Sequence, residues 1–247
     1  MKDNKLIKYD NTFNKTSLTL FTKVQSDVLI SILSRMCQSQ SKDNSNYKAV
    51  VSFKEIREMT GSKNLHTSKI KLALDKILDT KVEFYRNNRF VKANLFSHYE
   101  VNTKDTVEIV LTDYMSEKLT LNSNQYTILE LDEYVRLPNS YSKELYRMLR
   151  QFKHSGIRVI PKDELIRMLN PPKSYNEYDF VRKVLLPALE ENKVFFENLS
   201  VNVGEKNVLP NPVEFKFKAH KKYDKNRKAN KKLTMEEELL NHIQNNS

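Results

Sequence analysis

Between Lys173 and Lys183 the chain places Ser174, Tyr175, Asn176, Tyr178, Asp179 and Arg182. Hydroxyl, amide and cationic groups of this kind donate to phosphate oxygens and to base edges. A second run of similar make-up lies upstream: Lys63, Asn64, His66, Thr67, Ser68, Lys69 and Lys71. Small polar residues at a helix start can cap it, but capping accounts for one residue and not for a run. Each run is followed by a turn, the first of them basic. The first is Arg86-Asn87-Asn88-Arg89, whose asparagines tolerate a tight turn; the second is Gly204-Glu205-Lys206-Asn207. Cations at such tips can touch phosphate. The chemistry on offer is recognition of double-stranded DNA.

Bond-making chemistry finds less support. One of the 12 tyrosines could attack DNA, as in a rolling-circle nicking initiator or relaxase, if a metal ion activated it. His66, His98, His154, His220 and His242 stand apart, with no closely spaced pair to face one ion. No metal site, no cofactor and no enzymatic activity are expected. The three glycines, Gly61, Gly156 and Gly204, leave no room for a Gly-rich phosphate loop. The single Cys37 falls on the apolar side of a helix and reads as a packing thiol in a reducing cytoplasm.

The elements that must position these groups follow from periodicity. After Asn176-Glu177-Tyr178-Asp179, the residues Val181, Val184, Leu185, Ala188 and Leu189 recur at helical steps, with Arg182 and Lys183 opposite. Val194–Asn202 and Val213–Phe217 read as strands joined by the turn at Gly204. Val159–Leu169, just upstream, reads as a short strand and a short helix. Pro187 inside the long helix should bend it or end it. Strand, helix, longer helix and two-stranded ribbon is the order of a winged helix, which lays a helix in the major groove and a hairpin on the flanking backbone.

That order occurs twice. Val51-Ser52-Phe53-Lys54-Glu55-Ile56-Arg57-Glu58-Met59 aligns with Ile160-Pro161-Lys162-Asp163-Glu164-Leu165-Ile166-Arg167-Met168 at an offset of 109. The helix Thr67–Leu78 is followed by Lys81-Val82-Glu83-Phe84, which aligns with Lys193-Val194-Phe195-Phe196 at an offset of 112, the extra residues falling in the loop with Pro171 and Pro172. The expected fold class is α+β: tandem pseudo-symmetric winged-helix domains with a basic C-terminal tail. Residues 1–16 are expected to form a flexible arm, 17–124 the first domain, 125–219 the second and 220–247 the tail.

Around these domains, Leu18–Gln38 reads as a helix with Val24, Val28, Ile32, Leu33 and Met36 on its buried stripe. Pro138–Lys153 reads as another, with Pro138 in its first turn and Leu145, Met148, Leu149 and Phe152 buried. His98–Val101 and Val107–Leu111 add strands to the first sheet.

Charge points the same way. The formal net charge over 247 residues is +11. Lys218 to Lys232 hold eight Lys or Arg and one acid, and the last fifteen residues add three acids, so the body itself is basic. A surplus on body and tail together favours a polyanionic partner. No run approaches 18 apolar residues, and Met1–Asp10 lacks the apolar core of a secretion signal. A soluble, cytoplasmic protein with no membrane partner is expected.

The stretch Leu137-Pro138-Asn139-Ser140-Tyr141-Ser142-Lys143-Glu144-Leu145-Tyr146-Arg147-Met148-Leu149, followed by Phe180-Val181-Arg182-Lys183-Val184-Leu185-Leu186-Pro187-Ala188-Leu189-Glu190-Glu191-Asn192, resembles the plasmid replication initiators of iteron-regulated, theta-replicating plasmids. The similarity runs from about Ser17 to Ala219. It implies two pseudo-symmetric winged-helix domains that bind repeated origin sequences, and opening of the origin with host replication initiation proteins. It also implies autorepression by a homodimer on an operator inverted repeat. The second domain would make the main sequence-specific contacts, and the first would bind DNA and dimerise. The alternative is a winged-helix repressor without initiator activity.

Overall fold

The computed structural model describes residues 5–40, 48–86, 89–102, 105–119 and 125–219. The expected tail at 220–247 and the turn asparagines Asn87 and Asn88 lie outside the described residues.

The first half runs from a long helix α1 (Lys23–Gln40) through strand β2 (Lys48–Ser52), helices α2 (Phe53–Met59) and α3 (Thr67–Asp79) to a ribbon, β3 (Lys81–Arg86) and β4 (Arg89–Asn94). Strands β5 (Phe96–Val101) and β6 (Thr106–Leu111) and helix α4 (Asp113–Leu119) follow. A capping box starts α2: Ser52 Oγ accepts from the Glu55 N–H at 3.1 Å, and the Glu55 carboxylate accepts from the Ser52 N–H at 2.8 Å. Ile70, Ala73, Leu74 and Ile77 turn one face of α3 into the core, the spacing of a half-buried helix.

The second half repeats the plan. Helix α6 (Ser140–Arg150) precedes strand β8 (Ile157–Ile160) and helix α7 (Lys162–Leu169). Then come the α turn α8 (Glu177–Phe180), a π-helical turn (Val181–Leu185) and α9 (Leu186–Asn192), stacked end to end. Strands β9 (Phe196–Val201) and β10 (Val213–Ala219) close it. The offset of 109 holds down to a backbone detail. Gly61 ends the turn after α2 at φ 67°, and Asn170, its counterpart, caps α7 in the left-handed region at φ 44°.

The halves differ in strand pairing. In the second, β8, β10 and β9 form one three-stranded sheet in that order. In the first, β6 takes the place beside β2, giving β2-β6-β5, and β3–β4 stands as a separate two-stranded ribbon. The single larger first sheet expected from the sequence is therefore two sheets. The pairing partner of β2 comes from the extra hairpin, which has no counterpart in the second half.

The flexible arm expected over residues 1–16 does not hold where those residues are described. Strand β1 (Leu6–Asp10) pairs antiparallel with β7 (Tyr126–Glu130), and Asn11–Lys15 form a 3-10 turn. Ile7, Tyr9 and Phe13 are fully buried, so hydrophobic burial ties this segment down. A one-turn helix α5 (Leu131–Tyr134) follows β7. Helix α1 starts at Lys23 rather than Leu18, and Val24, expected in its buried stripe, is exposed. Pro138 precedes the cap of α6 instead of opening its first turn: Asn139 Oδ1 accepts from the Ser142 N–H at 3.0 Å.

Helix α6 is the piece both halves share. Its Leu145, Met148 and Leu149 are buried as expected, but Lys143, Glu144, Arg147 and Arg150 are buried too. Arg147 donates to the carbonyls of Phe13 (3.0 Å) and Thr16 (3.2 Å), and Arg150 donates to that of Ile128. The Glu144 carboxylate accepts from the Leu18 N–H at 3.0 Å. At its start, Asn139 and Ser142 donate to Glu191 of α9, and Asn192 Nδ2 donates to the Ser142 carbonyl at 2.9 Å. Through these bonds α6 fastens the N-terminal segment to the second long helix.

Candidate nucleic-acid interface

In each half the helix that leads into the ribbon presents an exposed face. On α3, Ser68, Lys69, Lys71, Asp75 and Lys76 face solvent, and Lys63, Asn64 and His66 are exposed in the turn leading into it. Thr67 is half-buried. His66 occupies the cap position, and no side chain caps α3. The hydroxyls and amides of this run are therefore not consumed by capping. Leu72, an apolar residue, shares this face and is 59% exposed. Its position, one turn from both Ser68 and Lys76, is the signal that separates it from the core.

Aspartate in this row is restrained. The Tyr99 hydroxyl, on β5, donates to Asp75. Burial, reinforced by that carboxylate, pushes the Tyr99 pKa up to about 12. The bond braces α3 against the β2-β6-β5 sheet, a tie no sequence motif announced. Leu78 is joined to the ribbon: Asn94 Nδ2 donates to its carbonyl. Across the ribbon Arg86 faces Arg89 in register, which puts both backbones at the tip where a phosphate-touching wing was expected.

In the second half Lys173, Ser174, Asn176, Tyr178, Arg182 and Lys183 are exposed, and Tyr175 and Asp179 half-buried. The structure brings several of them together. Arg182 Nη1 lies 3.4 Å from the Tyr178 hydroxyl one turn before it. Lys183 bonds Asp179 at 2.7 Å, and its ammonium sits 4.9 Å from the centroid of Tyr175. The bond to Asp179 holds the Lys183 pKa above its ordinary value. Asn176 works for the fold, since its side chain accepts from the Asp179 N–H at 2.9 Å and caps the helix.

Glu177, absent from the candidate residues, organises the entry to this helix. Its carboxylate accepts from the Leu209 N–H at 2.7 Å and pairs with Lys162 at 3.3 Å. The backbone bond, first of all, holds the Glu177 pKa below its usual range. The loop between β9 and β10 is thereby folded back on the helix start. Lys206 lies in that loop, in a 3-10 turn (Glu205–Asn207). Val194, expected in a strand, lies before β9 and is 72% exposed.

The two basic faces are surface features, with a hydrophobic core behind each. Among the described residues no group of three or more His, Cys, Asp or Glu is placed to hold a metal ion. Among them, too, no helix is long and apolar enough to cross a membrane. Burial raises the Cys37 pKa, and its Sγ lies 3.6 Å from the Lys8 carbonyl, the setting of a packing thiol.

Comparison with solved structures gives the same architecture. The crystal structure of Pi initiator protein in complex with iteron DNA matches with a TM-score of 0.64 at 16% identity, over 90% of this chain and 100% of that one. Domain 2 and domain 3 of RctB match with a TM-score of 0.51 at 12% identity, over 80% and 82%. At these identities the likeness is one of fold. Among curated proteins, the "Probable replication protein rep" of Bifidobacterium longum (strain NCC 2705) is 31% identical over 198 residues. That match spans 76% of this chain and 64% of the relative's length. The family described as "Initiator Replication protein, WH1" matches residues 6–150, well over half of the chain, and takes in both β1 and α6. The chain belongs to the family of initiator replication proteins.

Proposed function

We propose that this protein initiates plasmid replication by binding tandem origin repeats through α3 and α8–α9, one helix per major groove. The observation that carries the reading is the repetition of one plan: a helix with an apolar inner face and an exposed basic outer face, followed by a ribbon. Two such helices on one chain suit two successive grooves, roughly 34 Å apart along one face of a duplex. The 3-10 turn and α6 between the halves hold them as one body. The relative called a replication protein, and the Pi initiator solved with iteron DNA, support the same reading.

In this reading the second half (about 125–219) makes the main sequence-specific contacts. Arg182 and Tyr178 reach base edges, Lys183 and Lys173 hold phosphate, and Ser174 and Tyr175 flank them. In the first half, Lys63, Asn64, His66, Thr67, Ser68, Lys69 and Lys71 meet the neighbouring groove. The wing arginines Arg86 and Arg89, and Lys206, meet the backbone. The protein acts in the cytoplasm, without bond chemistry, with host replication initiation proteins as partners. As a homodimer it represses its own synthesis.

The test is a footprint of the full chain on the DNA flanking its own coding region. Protection of tandem direct repeats is the expected result. Protection of a palindrome alone would favour a repressor, and a covalent protein–DNA adduct on supercoiled plasmid with divalent metal would return the nicking enzyme.

A further inference from the structure

The helix that carries Arg182 has a four-residue rhythm instead of the usual one. Phe180, Val184, Ala188 and Asn192 are all buried, and so are Val181, Leu185 and Leu189. Tyr178, Arg182, Leu186 and Glu190, again at steps of four, are all exposed. An α-helix advances about 100° per residue, so a step of four overshoots a full turn by roughly 40°. From Tyr178 to Glu190 the overshoot would reach about 120°, and an unbroken α-helix would carry Glu190 a third of the way round from Tyr178. Something must take up that rotation.

The π-turn at Val181–Leu185 takes it up. There the Leu186 N–H bonds back five residues, to the Val181 carbonyl, which fits one extra residue into the turn and realigns the rows on either side. Its cause lies just beyond. Pro187 has no N–H to give to Lys183, and in an α-helix its ring would meet the Lys183 carbonyl. A wider turn is the form in which both residues fit.

We propose that Pro187 is the positioning residue of this interface: it holds the π-turn, and the π-turn keeps Tyr178, Arg182 and the α9 face in one straight row toward DNA. The inference rests on the DNA-binding reading above. Pro187 acts through Arg182 and not through stability. Replacing it with alanine restores a donor at position 187 and lets the helix close in α geometry, turning Arg182 relative to α9.

The experiment uses the full chain and a duplex that the wild-type protein selects from a random pool of DNA, with scrambled duplex as the non-specific probe. Pro187→Ala is expected to keep its thermal midpoint or raise it. Its affinity for the selected duplex falls roughly tenfold, the scale of one good base contact, while affinity for scrambled duplex is unchanged. Arg182→Ala in the Pro187→Ala background then adds less than about twofold, because its contact is already lost. Equal affinity of Pro187→Ala and wild type for the selected duplex overturns the proposal. So does a parallel loss on both duplexes, or a lowered thermal midpoint. If the wild-type chain selects no duplex at all, it is the DNA-binding reading that fails.

Discussion

Lys143 Nζ lies 2.6 Å from Asp27 Oδ1, with the two side chains 1% and 4% exposed. The pair joins α6 to α1 inside the protein. Lys23 meets the other oxygen of Asp27 at 2.6 Å, and Lys143 also donates to the Tyr134 carbonyl. With Arg147 holding the carbonyls of Phe13 and Thr16, one helix anchors the long helix of the first half, the N-terminal segment and, through Ser142, α9. The relative placement of the two exposed helices, α3 and α8–α9, passes through this buried polar seam.

A buried pair is costly to break from one side. Asp27→Leu strands the Lys143 ammonium without its counter-ion, and the expected loss is about 3–5 kcal/mol in denaturant unfolding. Adding Lys143→Met removes the stranded charge and should recover most of that loss, because an apolar pair of similar volume is often neutral. A double variant as unstable as Asp27→Leu alone would place the energetics in packing around α1 instead of in the pair.

The same pair sets a pH signature. Burial holds the Lys143 pKa down to about 8, against the opposing pull of Asp27. Between that value and the ordinary lysine value of 10.5, the unfolded chain keeps a proton that the native protein has shed. Unfolding then takes up a proton, so stability rises with pH through this window and is flat with respect to this group below it. Tyr134 and Tyr146, pushed up by burial, reverse the trend once unfolded tyrosines begin to ionise near 10. Unfolding free energy measured from about pH 8 to 10 should climb by at most about 2 kcal/mol, and Lys143→Met should remove the climb.

How much of this was legible in the chain depends on what covers each face. The apolar stripes of α3 and α6 repeat at helical steps, and the doubled order of elements follows from them. Lys143, Glu144, Arg147 and Arg150 look like a solvated face when α6 is read alone. They are buried because β1, the 3-10 turn and α1, distant in sequence, lie over that face. The separate ribbon was hidden for a similar reason: whether β2 pairs with β4 or β6 is decided between strands, not within one. Pro187 was legible as an anomaly, but the π-turn beside it needed the four-residue rhythm to be noticed.

Leu72 is a surface leucine in a basic row, and its exposure argues against a packing role. Leu72→Ala should leave thermal stability within about 0.5 kcal/mol, as surface substitutions do. If the side chain meets a thymine methyl or a sugar, specific affinity should fall by about 1 kcal/mol, with non-specific affinity unchanged. Fluorescence anisotropy on selected and scrambled duplexes separates these outcomes.

Arg182 and Lys183 are neighbours in sequence but are held differently, and their variants should differ. Lys183 is steadied by Asp179 and by the Tyr175 ring, a setting that presents a point charge. Lys183→Ala should weaken binding to every duplex alike and lower the slope of log affinity against log salt by about 0.9, one released counter-ion. Arg182 is met only loosely by the Tyr178 hydroxyl at 3.4 Å, so its fork remains available for a base edge. Arg182→Ala should cost about 1–3 kcal/mol on the selected duplex and relax discrimination at a single base pair. Neutralising Lys231 and Lys232 in the tail is the control for charge alone. Removing Arg182 and Lys183 together should weaken specific binding far more than removing that tail pair. If the two double variants lose affinity equally, with equal change in salt slope, then both helix residues touch only phosphate and sequence is read elsewhere on the chain.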